Sequence, residues 1–375
     1  MPAPLPTTAL RRAFLPFAFA GILSVFAASP ALTHEVTPMS AQNTVITVAA
    51  DGSGDHRSVQ DAIDAAPSHS AGRVTVRIGP GVYDEPVVIP SSKPNLTLVG
   101  TTGDPKDVVI THGRASGMPR PDGGTWGTSG SASAVISGDG VHAYDLTFEN
   151  SFLREEHPDI TSTQAVAVRT TGDRLVFDNV RFLGHQDTLY ANSPNTETVS
   201  RQYYRNCYVE GDVDFVFGRA TAVFHGCEIH SLDRGSDTDN GYVTAPSTPL
   251  GQEFGFLFTE SRFTADAPAG TVYLGRPWVP SSDPDARPQV LIRDSWMDAH
   301  FKEQGWIPMS SGDGWRQFAL REYNNRGPGA LVTGDRPHMG AAEALGHTAE
   351  AYLAGGDGWN PVGEPRRPVC TARTR

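Results

Sequence analysis

Two aspartates, Asp187 and Asp214, fall at the same offset within successive copies of a weak internal repeat. Each copy joins an apolar strand, a small or polar residue and a second alternating strand. Copies lie at 144–148, 178–182, 205–209, 225–229, 259–263 and 293–297. Their second residues (145, 179, 206, 226, 260 and 294) are separated by 34, 27, 20, 34 and 34 positions. Eight residues beyond Asn179, Asn206 and Gly226 stand Asp187, Asp214 and Arg234. If the copies stack in register, these three side chains sit on neighbouring coils, about 4.8 Å apart per step. Two carboxylates that close do not both ionise easily, so one is pushed towards its protonated form. That is a general acid beside an ionised nucleophile or base. Ordinary turn aspartates would show the same spacing, and spacing alone leaves both alternatives open.

Such a pair needs a scaffold that repeats. Periods of about 20–50 residues mark solenoids, and short strands with unequal loops suit a parallel β-helix. A β-sandwich would carry hairpin turns between adjacent strands, yet the only Asn-Gly dipeptide is Asn240-Gly241. No strand–helix alternation points to an α/β fold. The expected class is therefore all-β, a β-helix with an N-terminal capping helix. That helix spans 58–66, with Ser58 as N-cap, Asp61 at the third position, and Val59, Ala62, Ile63 and Ala66 as one apolar stripe. It would cover the open edge of the first coil. Strands are expected at 74–78, 87–89 and 96–99. A second helix is expected over 341–353, packed on the flank or the far end. No linker divides residues 45–375, which read as a single domain.

Composition narrows the partners. Of 375 residues, Lys and Arg number 30 and Asp and Glu 42, a formal charge of −12. That balance argues against non-specific nucleic-acid or anionic-membrane binding. Three cysteines exclude a disulfide-rich scaffold and a four-cysteine zinc site. Residues 1–31 read as an export signal: Arg11 and Arg12, an apolar run over 13–28, then Ala27, Ala28, Ser29 and Ala31 as small residues for cleavage. The run, with Pro16 inside it, is short for a membrane span. Arg11-Arg12-Ala13-Phe14-Leu15 resembles a twin-arginine signal, with Leu10 where Ser or Thr is usual. Residues 32–44 form a leader. The expected location is secreted or periplasmic, with no membrane association once the signal is removed.

The motifs around the aspartates are more specific. Gly184-His185-Gln186-Asp187-Thr188-Leu189-Tyr190 and Gly211-Asp212-Val213-Asp214-Phe215-Val216-Phe217-Gly218 resemble signature motifs of pectin methylesterases. So do Gly81-Val82-Tyr83-Asp84-Glu85, Gln164-Ala165-Val166-Ala167-Val168 and Leu274-Gly275-Arg276-Pro277-Trp278. They occur in family order, and the resemblance covers 45–325. It implies a right-handed parallel β-helix that hydrolyses methyl esters of galacturonate units in pectin, releasing methanol and pectate through an aspartyl acyl-enzyme. It makes Asp214 the nucleophile and Asp187 the general acid/base. Gln186 and Gln164 become the oxyanion donors, and Arg276 the group that orients Asp214. Trp278, Tyr190 and Phe217 become groove aromatics, Arg234 a substrate-binding arginine, and Thr128 a residue lining a subsite. Metal and other cofactors are not required; pectin is the expected partner and the chain a monomer.

Cys207 and Cys227 follow matching repeat positions, and a similar pair in bacterial relatives implies a disulfide, with Cys370 left free. Val168 stands where Leu is common in the family. Each motif residue also has a purely structural alternative: glutamine ladders for Gln164 and Gln186, core packing for the aromatics, and a turn role for His185. No Gly-x-Ser-x-Gly elbow supports a serine hydrolase, and motif sets of pectate lyases and polygalacturonases are missing.

Overall fold

A computed structural model describes residues 44–310 and 314–365. The expected export signal, most of the leader and Cys370 lie outside these residues.

The alternating segments form parallel ladders that the chain climbs one coil at a time. The first ladder runs Thr44–Val48, Val74–Ile78, Leu96–Gly100, His142–Glu149, Leu175–Leu183, Arg201–Arg205, Thr221–His225, Phe256–Thr259, Gln289–Arg293 and Ala319–Tyr323. A second passes from Gly81–Asp84 and Val108–Thr111 through the later halves of His142–Glu149 and Leu175–Leu183. It continues through Tyr208–Gly211, Glu228–Ser231, Arg262–Ala265 and Trp296–Met297. A separate seven-stranded sheet stacks Val87–Ile89, Ala134–Ile136, Val168–Thr170, Leu189–Ala191, Val213–Gly218, Gly241–Pro246 and Val272–Gly275. This is a parallel β-helix.

The repeat has a local cause. Its second residues, Asp145, Asn179, Asn206, Gly226, Glu260 and Asp294, all adopt left-handed backbone conformations, with φ from 51° at Asp294 to 63° at Gly226. They bend the chain between the first and second ladders. Asn324 adds one more coil that the sequence pattern did not reveal. Left-handed backbone strains most L-residues, and Gly, Asn and Asp bear it best. Side chains bond along this column: Asn179 Nδ2 donates to Asp145 Oδ1 at 2.6 Å, and Asn324 Nδ2 to Asp294 Oδ1 at 2.6 Å.

One position further on, side chains cap the backbone of the preceding coil. The N–H groups of Cys227, Ser261 and Ser295 donate to Ser261 Oγ, Ser295 Oγ and Asn325 Oδ1, each at 3.1 Å. Cys207 and Cys227 occupy the same column, and both are buried free thiols rather than the expected disulfide. In-register neighbours on parallel strands hold their Cβ atoms near the strand spacing of about 4.8 Å. A disulfide wants about 3.8 Å. The thiols turn instead to main-chain oxygens, Cys207 Sγ to Phe177 O at 3.5 Å and Cys227 Sγ to Tyr204 O at 3.3 Å.

Inside the coils, Phe177, Tyr204, Phe224 and Phe258 stack face to face at 4.8, 4.6 and 4.5 Å between ring centroids. These separations equal the coil rise, so one column serves packing and register together. Phe224 is fully buried. Phe224→Ala is expected to cost about 3–5 kcal/mol of stability. Denaturant unfolding measures it, and a loss under about 1 kcal/mol would mean that the column relaxes to fill the gap.

The first helix forms at Val59–Ala65, and Ser58 Oγ accepts from Asp61 N at 3.0 Å. Glu85 supplies a second cap, taking Val59 N at 2.7 Å and Gln60 N at 3.1 Å. Val59, Ala62 and Ile63 pack into the core beside the first strands. At the other end the single helix expected over 341–353 is two, Ala341–Ala344 and Ala349–Ala354. Gly346 lies in the break, where helix propensity is poorest, and Thr348 caps a new start by accepting Ala351 N at 3.2 Å. Tyr352 and Leu353 pack on the flank, against Val176, Tyr203 and Val223 of the first ladder. Among the described residues no helix is long and apolar enough to cross a membrane.

Candidate active site

The seven-stranded sheet positions the two aspartates. Leu189 pairs with Val216 and Tyr190 with Phe217, an offset that brings Asp187 level with Asp214 on the next coil. Both residues have left-handed backbones, with φ of 67° and 50°. Asp187 N donates to Val213 O at 3.0 Å, and a bulge follows Val213. Strain at two neighbouring non-glycine residues is held by the ladders on either side. Gly211 makes room for this turn: a Cβ there would stand 2.3 Å from the Phe215 Cβ and 2.6 Å from His185 O.

The carboxylates are buried but differently partnered. Arg276 Nε donates to Asp214 Oδ1 at 2.9 Å and Nη2 to Oδ2 at 2.7 Å, a bidentate pair. Arg276 itself lies 3.9 Å from the centroid of the Tyr242 ring, and its backbone N–H is held by Thr244 O at 2.9 Å. Among the described residues no cation pairs with Asp187 in this way. Burial, then the Asp214 charge, push its carboxyl well above the usual range, against a smaller pull from Arg276. Burial also raises Asp214, and Arg276 only partly offsets it. Of the two, Asp187 is the one pushed further towards its protonated form.

Around them opens a cleft of about 580 Å³. Gln164, Gln186, Asp187, Asp214, Arg276, Thr128, Tyr190, Phe217 and Trp278 all line it. Gln186 Oε1 accepts from Thr163 Oγ1 at 3.0 Å, which leaves the amide N–H groups of Gln186 to other acceptors. Tyr190 and Phe217 stack at 4.2 Å, and Trp278 leans on both at 6.3 and 5.9 Å. Tyr190 and Phe217 are register partners on successive turns of the sheet, and Trp278 reaches them from beyond the strand Val272–Gly275, its N–H held by Pro246 O at 2.9 Å.

Arg234 does not join this group. The segment after Leu232 leaves the coil as a loop closed by Asn240, whose Oδ1 accepts Arg234 N at 2.8 Å. The residues level with the Asp214 strand are instead Tyr242 and Thr244. Arg234 Nε stands 3.8 Å from Asp212 Oδ2. Counting eight residues assumed an unbroken register that this loop interrupts.

Trp126, Ser129, Arg219 and Met309 also line the cleft and were not singled out from sequence. Arg219 directly follows the Gly218 that ends the Asp214 motif, and Trp126 and Ser129 flank Thr128, so adjacency was a usable signal for three of them. Met309 arrives from a distant loop with none. Among the described residues no cluster of three or more His, Cys, Asp or Glu is arranged to hold a metal ion.

Fold and cleft together define a hydrolase built on a parallel β-helix, with a buried carboxylate pair in an aromatic-walled groove. The pectinesterase family model matches residues 45–356. Pectinesterase 31 of Arabidopsis thaliana is 37% identical over 300 residues, covering 77% of this chain and 85% of its own length. Pectinesterase A of Dickeya chrysanthemi is 33% identical over 374 residues, covering 91% and 98%. A solved pectin methylesterase in complex with a hexasaccharide superposes with a TM-score of 0.74 at 32% identity, covering 84% of this chain and 98% of that one. The chain belongs to the pectinesterase family of carboxylic ester hydrolases.

Proposed function

We propose that this chain hydrolyses methyl esters of galacturonate units in pectin, releasing methanol and pectate through an aspartyl acyl-enzyme. The observation that carries the mechanism is the unequal pair: one buried carboxylate gripped by a guanidinium, its buried neighbour pushed towards the protonated form by burial and by the adjoining charge. Asp214 attacks the ester carbonyl and forms an anhydride with the sugar carboxyl. Amide N–H groups of Gln186 and Gln164 hold the developing oxyanion. Asp187 gives its proton to the departing methoxide, then takes one from the water that cleaves the anhydride. Arg276 keeps the attacking carboxylate ionised and aimed. Tyr190, Phe217 and Trp278 offer ring faces to the sugars, and Thr128 borders the groove. The hexasaccharide complex of a related pectin methylesterase supports an oligosaccharide as the occupant.

Further parts of the proposal concern the whole chain. Residues 1–31 direct export and are removed, 45–375 act as one monomeric domain, and the helix Val59–Ala65 closes the first coil. Removing two arginines takes the formal charge from −12 to −14, so the enzyme and its polyanionic product repel one another. Turnover is expected to be faster on highly methylated pectin than on low-methyl pectin. Methanol release from citrus pectins of graded methylation by the purified mature chain tests both points. No release from any of them sinks the substrate assignment, and faster release from the low-methyl sample sinks the charge argument.

A further inference from the structure

Two residues before Asp214, Asp212 buries its carboxylate to 1% exposure with three cationic or imidazole groups around one oxygen. Arg154 Nη2 donates to Asp212 Oδ2, His185 Nδ1 lies 3.2 Å from it and Arg234 Nε 3.8 Å. The backbone is tied in as well: Asp212 N donates to His185 O at 3.1 Å and Tyr242 N to Asp212 O at 2.9 Å. Oδ1 is buried and takes no hydrogen bond from the described residues, so one oxygen carries the whole network. The three partners come from separate loops. Arg154 opens a short 3-10 turn, Arg154–Glu156, in the excursion that ends at Gln164. His185 precedes Gln186 and Asp187. Arg234 belongs to the loop closed by Asn240.

We propose that Asp212 is a positioning residue of the two-aspartate centre, fastening through Arg154 and His185 the loops that carry Gln164, Gln186 and Asp187, with Arg234 tying in the adjoining loop. The proposal rests on the esterase function argued above. It assigns an outer half to the site: Arg276 aligns Asp214 from one side, and Asp212 anchors the surrounding loops from the other. Its charge acts in the same sense. Asp187 is faced by Asp214 and Asp212, which favour its proton, and by Arg276, which opposes it. Neutralising Asp212 would also leave Arg154 and Arg234 uncompensated beside the pair. Asp187 would then lose its proton at lower pH.

The test is Asp212→Asn, which keeps shape and removes charge. A kcat about 10–100-fold lower is expected, from slack in the oxyanion donors. KM should change much less, and the alkaline limb of the kcat profile should move to lower pH. A readout independent of turnover is the pH at which the melting temperature of Asp187→Asn parts from that of its parent, measured with and without Asp212→Asn. That pH should fall in the Asp212→Asn background. A lower melting temperature with unchanged kcat and unchanged pH limbs would reduce Asp212 to a structural contact and overturn the proposal. If wild type releases no methanol, the esterase assignment fails, and the melting comparison still decides whether Asp212 holds the proton on Asp187. Should Asp212→Asn not fold, Arg154→Gln takes its place on the partly exposed side of the tether: a kcat loss with KM retained supports the anchor, and wild-type kcat refutes it.

Discussion

Asp214→Asn is expected to release methanol from highly methylated pectin at least about 10⁴-fold more slowly than wild type. Asparagine has nearly the same shape and keeps an acceptor oxygen for Arg276, now 2.7 Å from Oδ2. The fold should therefore survive, which circular dichroism would check. What disappears is the anionic oxygen that forms the bond. The amides of Gln186 and Gln164 and the aromatic wall remain, so binding should persist and the loss should fall on kcat. A folded variant that keeps more than about a tenth of the wild-type rate would remove Asp214 from the nucleophile's role. In the wild type the same carboxylate sets the acid limb: burial raises it above the usual range, and activity falls as pH drops through that raised value.

Asp187→Asn should lose about 10²- to 10⁴-fold in kcat, because an amide does not deliver a proton to methoxide or take one from water. It should also lose the alkaline limb of the pH profile. In the wild type that limb marks ionisation of Asp187, whose raised carboxyl must be protonated to act. Stability should move in the opposite direction. A carboxyl held higher in the folded chain than in the unfolded one stabilises most below the unfolded value, and that contribution vanishes as pH rises through the folded value. At neutral pH the buried acid is a burden that asparagine lifts. Melting is expected to rise by about 2–4 °C in Asp187→Asn near pH 7 and to match or fall below wild type near pH 3. Equal melting curves at both pH values would place the shared proton elsewhere.

Much of this was legible because coils repeat their chemistry. The six aligned residues from Asp145 to Asp294 each proved to be a left-handed corner, since few residues tolerate that backbone and the sequence must use them again and again. Strand 74–78 appeared where alternation placed it, and 87–89 where a short apolar run was expected to form one. Asp187 and Asp214 came level because nothing between corner and aspartate changes length in those two coils. Arg234 failed for the opposite reason: an excursion intervenes, and no local pattern announces its length. Cys207 and Cys227 share a column, yet the column sets them at the strand spacing of about 4.8 Å, wider than the roughly 3.8 Å a disulfide wants. Met309 reaches the cleft through contacts far apart in sequence, which periodicity does not encode.

The coil rise acts as a ruler that the loops cannot alter. Spacings of 27 and 20 residues between successive corners still deliver the same axial step. Insertions and deletions at 192–197, or in the excursion before Gln164, therefore change the walls of the groove while the distance between the two carboxylates stays fixed. Descendants of such a chain can try new substrates by lengthening or trimming loops, with the reaction centre sheltered from the experiment. Genetic change is thereby divided into a part that explores and a part that conserves, and the boundary between them is the column of corners.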